Sequence, residues 1–129
     1  MKLVLDTGIL MLILKGDPRV RDLLYEDRNK YYTLMLNLIE LYYKTEEKLG
    51  RETALTWFNR VLGVDDINIV SIDKRLALEA GRIKARYRYL LSIVDATIIA
   101  LAKILKATLL TTDNRLAETK EVKVKIYRV

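Results

Sequence analysis

The sequence predicts a three-layer α/β/α fold around a mainly parallel five-stranded sheet. Three observations carry that expectation. Short apolar runs alternate with longer segments of helical periodicity along the whole chain. Four of those runs are apolar without strict alternation, as strands covered on both faces are. The chain has 129 residues, of which 51% are hydrophobic, so one domain spanning residues 1–129 has enough apolar material for its own core.

The elements follow in order. "KLVL" (Lys2–Leu5) reads as the first strand, and Gly8–Lys15 as a helix. The only proline, Pro18 in "KGDPRV", ends that helix and opens the next, over Arg19–Asp27. "YYTL" (Tyr31–Leu34) is a second strand. Two helices follow, Asn37–Lys48 and Arg51–Leu62, with Gly50 between them. "INIV" (Ile67–Val70) is a third strand, Asp73–Tyr89 and Ser92–Leu105 are helices, and "TLLT" (Thr108–Thr111) is a fourth strand. The closing "VKVKIYRV" alternates apolar and basic residues, which suits an edge strand whose lysines discourage further pairing. No linker, repeat or low-complexity tract interrupts this order.

Composition narrows the chemistry. With no cysteine there is no disulfide and no thiolate site, and with no histidine there is no imidazole base or ligand. A bound metal would have to be held by oxygen, which points to Mg²⁺ or Mn²⁺. The formal net charge of +6 favours a polyanionic partner. The N-terminal "MKLVLDTGILMLILKG" has the basic-then-apolar character of a signal peptide, but Asp6 interrupts the run and no small-residue cleavage site follows. No segment reaches the roughly 20 apolar residues of a membrane span. The expectation is a cytoplasmic protein.

Four acids stand out against this background. Asp6 ends the first strand, where it could simply cap the following helix. Asp113, in "LLTTDNRL", ends the fourth strand, where Asp-Asn is ordinary turn chemistry. Glu40 belongs with Asn37, Lys44 and Glu47 to a polar stripe that could face water, although Leu38, Ile39, Leu41 and Tyr42 surround it. Asp95 sits in the apolar "SIVDATIIALA", where Ser92-x-x-Asp95 resembles a capping box and an acid suits the helix dipole. Taken together, two acids fall at the carboxyl ends of strands, where an open α/β sheet binds its ligands, and two fall in the first turns of helices. Carboxylates gathered there repel one another unless a cation joins them.

"LVLDTGIL", "GDPRV", "NLIELYYK", "LSIVDATIIALA" and "LLTTDNRL" together resemble the PIN-domain ribonucleases, and more narrowly the toxin subunits of VapBC toxin–antitoxin pairs. The resemblance runs through nearly the whole chain, in order. It implies that Asp6, Glu40, Asp95 and Asp113 are catalytic and hold Mg²⁺ or Mn²⁺. It implies that Asn37 and Thr111 orient those carboxylates. The reaction implied is hydrolysis of single-stranded RNA by an activated water attacking phosphorus in line. The partners implied are RNA, a cognate antitoxin that blocks the acidic pocket, and a second copy in a homodimer; no membrane is involved. Two departures stand out. Gly8 replaces the Ser or Thr that often follows "D-T", and Asn114-Arg115-Leu116 lacks a further acid, so a second metal would be less well held.

"GRIKARYRYLL" interleaves basic residues with Tyr87 and Tyr89, which suits single-stranded RNA, with Arg86 and Arg88 as substrate contacts. A solvated helix face explains the same pattern. Two other functions fit the same fold. An aspartate-dependent phosphotransferase would need a second aspartate where Gly8 stands, and a non-catalytic RNA- or protein-binding module would have no use for four acids.

Overall fold

Each strand is followed by chain that must return across the sheet before the next parallel strand can begin, and here that return is helical wherever it is long. The computed structural model describes residues 1–129. Its elements are β1 (Lys2–Leu5), α1 (Thr7–Leu14), α2 (Pro18–Arg21), β2 (Lys30–Leu34), α3 (Met35–Leu49), α4 (Arg51–Leu62), β3 (Ile67–Val70), α5 (Lys74–Arg86), α6 (Ile93–Leu105), β4 (Thr108–Thr111), α7 (Asn114–Glu118) and β5 (Val124–Ile126). The sheet order is β3-β2-β1-β4-β5, and every pairing is parallel rather than mainly so.

Side chains alternate across the strands and build two cores. Val4, Leu34 and Leu109 face one side, under α5 and α6. Leu3, Leu5, Tyr31 and Leu110 face the other, under α1, α3 and α4. Helix α6 is apolar nearly all round, and every residue from Asp95 to Ala102 is buried. No helix is long and apolar enough to cross a membrane.

Three stretches differ from expectation. The helix expected over Arg19–Asp27 is only α2 followed by a single 3₁₀ turn at Leu23–Tyr25, because Val20 is its one buried residue and so short an apolar stripe cannot hold a longer helix. Helix α7 was not anticipated; its five residues bury only Leu116 and are too few to show a period. Helix α3 leaves β2 without a connecting loop, so Glu40 lies in its second turn rather than its first. β5 is the expected edge strand, with Lys125 exposed at its centre.

The chain visits β1, β2 and β3 on one side of the sheet, then returns to place β4 on the other side of β1. The strand order therefore reverses between β1 and β4, and the crevice at their carboxyl ends is where this architecture places a ligand.

Candidate active site

Asp6 follows β1 directly, and its extended backbone makes it the N-cap of α1. Its Oδ1 accepts from the Thr7 backbone N–H at 2.8 Å and from Asn37 Nδ2 at 3.3 Å. Its Oδ2 accepts from Thr111 Oγ1 at 2.7 Å. Asn37 and Thr111 are themselves fully buried, and Asn37 Nδ2 also donates to Thr7 Oγ1 at 3.0 Å. Burial pushes the Asp6 carboxyl up to about 6; the Thr111 and Thr7 hydrogen bonds oppose that rise, and the negative charges of Asp95 and Glu40 add to it.

Asp95 is the third residue of α6 and closes a capping box. The Ser92 N–H donates to Asp95 Oδ2 at 2.9 Å, and the Asp95 N–H donates to Ser92 Oγ at 3.1 Å. Asp95 is nonetheless as buried as Asp6, at 8% exposed. Asp113 caps α7, its Oδ1 accepting from the Arg115 N–H at 2.9 Å. The Arg115 guanidinium beside it holds its carboxyl below the usual carboxylate range. Glu40 rises from α3 with Lys44 Nζ at 3.8 Å.

All four acids line one cleft of about 490 Å³ at the carboxyl ends of β1 and β4. Asp6, Asp95 and Asp113 are helix caps, as their positions in the sequence also allow. For Asp6 and Asp113 capping seats the carboxylate where a strand hands over to a helix, which in this fold is the rim of the crevice; Asp95 reaches the same cleft from the start of α6, which follows α5. The polar stripe on α3 is likewise not simply solvated, because Asn37 is buried against Asp6 while Glu40 and Lys44 line the cleft.

Lys15, Lys44, Lys48 and Arg115 share the cleft with the acids, so four basic side chains face four acidic ones. Lys44 belongs to the polar stripe already noted on α3, and Arg115 lies two residues after Asp113; Lys15 and Lys48, at the ends of α1 and α3, carry no local signal in the sequence. Arg86 and Arg88 do not line the cleft. Arg86 is paired with Glu121 at 2.6 Å, in a cluster that also holds Tyr87 and Lys103, and Arg88 lies over the exposed Tyr89 ring.

Gly8 has a structural reason. A Cβ there would lie 2.1 Å from Thr112 Oγ1 and 3.0 Å from Thr112 Cγ2. A threonine side chain thus fills the space that a residue-8 side chain would take, and its hydroxyl lines the cleft. Gly8→Ala is expected to cost about 1–2 kcal/mol, as overpacking outweighs the helix propensity of alanine. In a Thr112→Ala background the same change should be neutral or stabilising. Equal shifts in melting temperature in both backgrounds would show that the contact relaxes freely.

The donor set suits an oxygen-binding divalent cation, since four acidic side chains line the cleft and the chain has no histidine or cysteine. As they stand, no three acidic side chains are grouped closely enough to hold an ion. The Arg115 guanidinium lies against both Asp113 and Asp95.

Comparison with known proteins agrees with the geometry. No curated protein matches the chain by sequence. Among solved structures it is similar to VapBC2 from Rickettsia felis bound to a promoter DNA fragment, at 16% identity over 97% of this chain and 98% of that one, with TM-score 0.75. It is similar to DNA-bound VapBC from Salmonella typhimurium, at 21% identity over 97% of both chains, TM-score 0.75. It is also similar to the sarcin-ricin-loop-cleaving toxin VapC20 from Mycobacterium tuberculosis, at 19% identity over 94% of this chain and 98% of that one, TM-score 0.75. The sequence profile of the PIN domain matches residues 3–122, which takes in all five strands except the last. The chain belongs to the PIN domain family.

Proposed function

We propose that this protein is a metal-dependent endoribonuclease that hydrolyses phosphodiester bonds in single-stranded RNA, and that it serves as the toxin of a toxin–antitoxin pair. The observation that carries the reading is the shared cleft: four carboxylates at the switch in strand order, ringed by Lys15, Lys44, Lys48 and Arg115. Acids alone would repel a polyanion, and lysines alone would bind it without reaction. The two together suit a phosphodiester.

Asp6, Asp95 and Asp113, with Glu40, would hold Mg²⁺ or Mn²⁺. When bound, the cation supplies neutralisation of the phosphate charge and activation of the attacking water. Thr111, Asn37 and the Thr7 N–H lock the Asp6 rotamer through both carboxylate oxygens. Lys15, Lys44 and Lys48 bind flanking phosphates. Tyr43, half-exposed at the cleft wall, offers a face on which an unpaired base can stack. Water attacks phosphorus in line, the bond to the 3′ oxygen breaks, and that oxygen takes up a proton, leaving 5′-phosphate and 3′-hydroxyl ends. Gly8 stands where an aspartyl-phosphate chemistry would need a second aspartate, which counts against that alternative.

The cleft lysines make the substrate contacts rather than Arg86, whose charge Glu121 engages; Arg88 remains an outer contact. The toxin role, the antitoxin and the homodimer rest on likeness to VapBC proteins, and a short DNA-binding protein encoded beside this chain would support them. Cleavage of a short single-stranded RNA is expected with millimolar Mg²⁺ or Mn²⁺ and is expected to stop with EDTA. Cleavage that survives EDTA, or products ending in cyclic phosphate, would overturn the mechanism.

A further inference from the structure

Arg115 lies where the sequence departs from the resemblance, and its guanidinium is engaged on every edge. Nε donates to both Asp113 oxygens at 3.1 and 3.0 Å, and Nη2 donates to Asp113 Oδ2 at 2.5 Å. Nη2 also reaches Asp95 Oδ2 at 3.5 Å, and Nη1 donates to the Leu90 carbonyl oxygen at 3.1 Å. One cation thus bridges carboxylates from two helices, α6 and α7, and is anchored to the chain that precedes α6.

We infer that Arg115 is an internal counter-ion that competes with the divalent cation for Asp95 and Asp113, so that metal enters the cleft only as the guanidinium leaves. The inference rests on the reading of the cleft as a metal site. Asp113 has its oxygens occupied by the Arg115 backbone N–H, Nε and Nη2, which leaves little room for a further ligand bond. A dication at those oxygens would also stand within a few ångströms of the guanidinium, where like charges repel strongly in a partly desolvated cleft. Both cannot sit there together. The Arg115 side chain is about half exposed, at 51%, so it can swing into solvent without disturbing the core. Once released it remains tethered at the rim, where its planar fork suits a phosphate. RNA that draws the guanidinium away therefore favours metal loading, and the two ligands bind cooperatively.

The test is Mn²⁺ binding to the full chain, followed by the electron paramagnetic resonance signal of free Mn²⁺. Arg115→Gln is expected to bind Mn²⁺ about tenfold more tightly than the parent, and Arg115→Lys, which keeps the charge but not the fork, to fall between them. Melting temperature without metal should fall in Arg115→Gln and its rise on adding Mn²⁺ should grow. Should Arg115→Gln fail to fold, Arg115→Lys alone must still bind more tightly than the parent. Equal or weaker Mn²⁺ binding by folded Arg115 variants, with the parent binding Mn²⁺, would overturn the counter-ion role and leave the metal reading standing. No Mn²⁺ binding by any of the proteins would overturn both.

Discussion

Replacement of Asp6 by asparagine is expected to abolish cleavage and, at the same time, to raise the melting temperature of the metal-free protein near neutral pH. Asparagine fits the space, and its Oδ1 can still accept from the Thr7 N–H. Its amide can donate to Thr111 Oγ1, which also accepts from the Asp113 N–H at 3.1 Å and has to redirect its own proton, a cost that offsets part of the gain. What it removes is a buried negative charge. The native carboxyl sits at about 6, against an ordinary value of 3.8, mainly because burial penalises the charged form. The folded state therefore binds this proton more tightly than the unfolded state does. Stability from Asp6 is fully present below about pH 3.8 and is lost as pH rises to about 6. Two pH units of difference correspond to about 3 kcal/mol, an upper figure for the gain from the substitution at pH 7. Asp113 behaves in the opposite sense: its carboxyl is held low by Arg115, so its contribution is present above the ordinary value and is lost as pH falls. The difference between parent and Asp6→Asn isolates the first effect from the second. Melting curves in EDTA should converge below about pH 4 and separate toward pH 7. Curves offset equally at every pH would show that Asp6 carries no such charge. Activity should fall by more than about 100-fold, beyond the 10–100-fold typical of residues that only orient a ligand.

The fold was legible to the extent that it rests on short-range pattern. Apolar runs such as Lys2–Leu5 and Thr108–Thr111 were bounded correctly because strands buried on both faces have few other readings. The acids were legible because capping and site-building share a location. The sequence posed Asp95 as either a cap or a ligand; the structure shows it closing a capping box and facing the cleft with the same carboxylate. What stayed hidden depends on contacts that no local window contains. Arg86 meets Glu121 from 35 residues away, and that pairing removes it from the cationic surface the sequence suggested. Lys15 and Lys48 enter the cleft from the ends of α1 and α3, and Thr112, just beyond the end of β4, fills the space above Gly8 from about a hundred residues away in the chain. Arg115 sits two residues from Asp113, yet its reach to Asp95 becomes visible only once α6 and α7 are placed.

The same double role makes Asp95→Asn the sharpest separation of stability from chemistry. The substitution keeps an oxygen that can accept from the Ser92 N–H, so the capping box survives. It loses the favourable interaction of a charge with the helix dipole, worth about 0.3–1 kcal/mol. It also loses the 3.5 Å approach of Arg115, a half-exposed pair that contributes little. Against these stands relief of the repulsion that Asp95 exerts on Asp6. The net change should stay within about 1 kcal/mol, or roughly 4 °C in melting temperature for a chain of this size. Cleavage, by contrast, should fall more than about 100-fold, and stabilisation by Mn²⁺ should shrink. Ser92→Ala provides the converse. It breaks the cap, at about 1 kcal/mol, but leaves the carboxylate in place, so it should lower melting temperature more than Asp95→Asn while lowering cleavage far less. A protein with Asp95→Asn that cleaves RNA at the parental rate would make Asp95 a cap alone, and the cleft would then have to work with Asp6, Glu40 and Asp113.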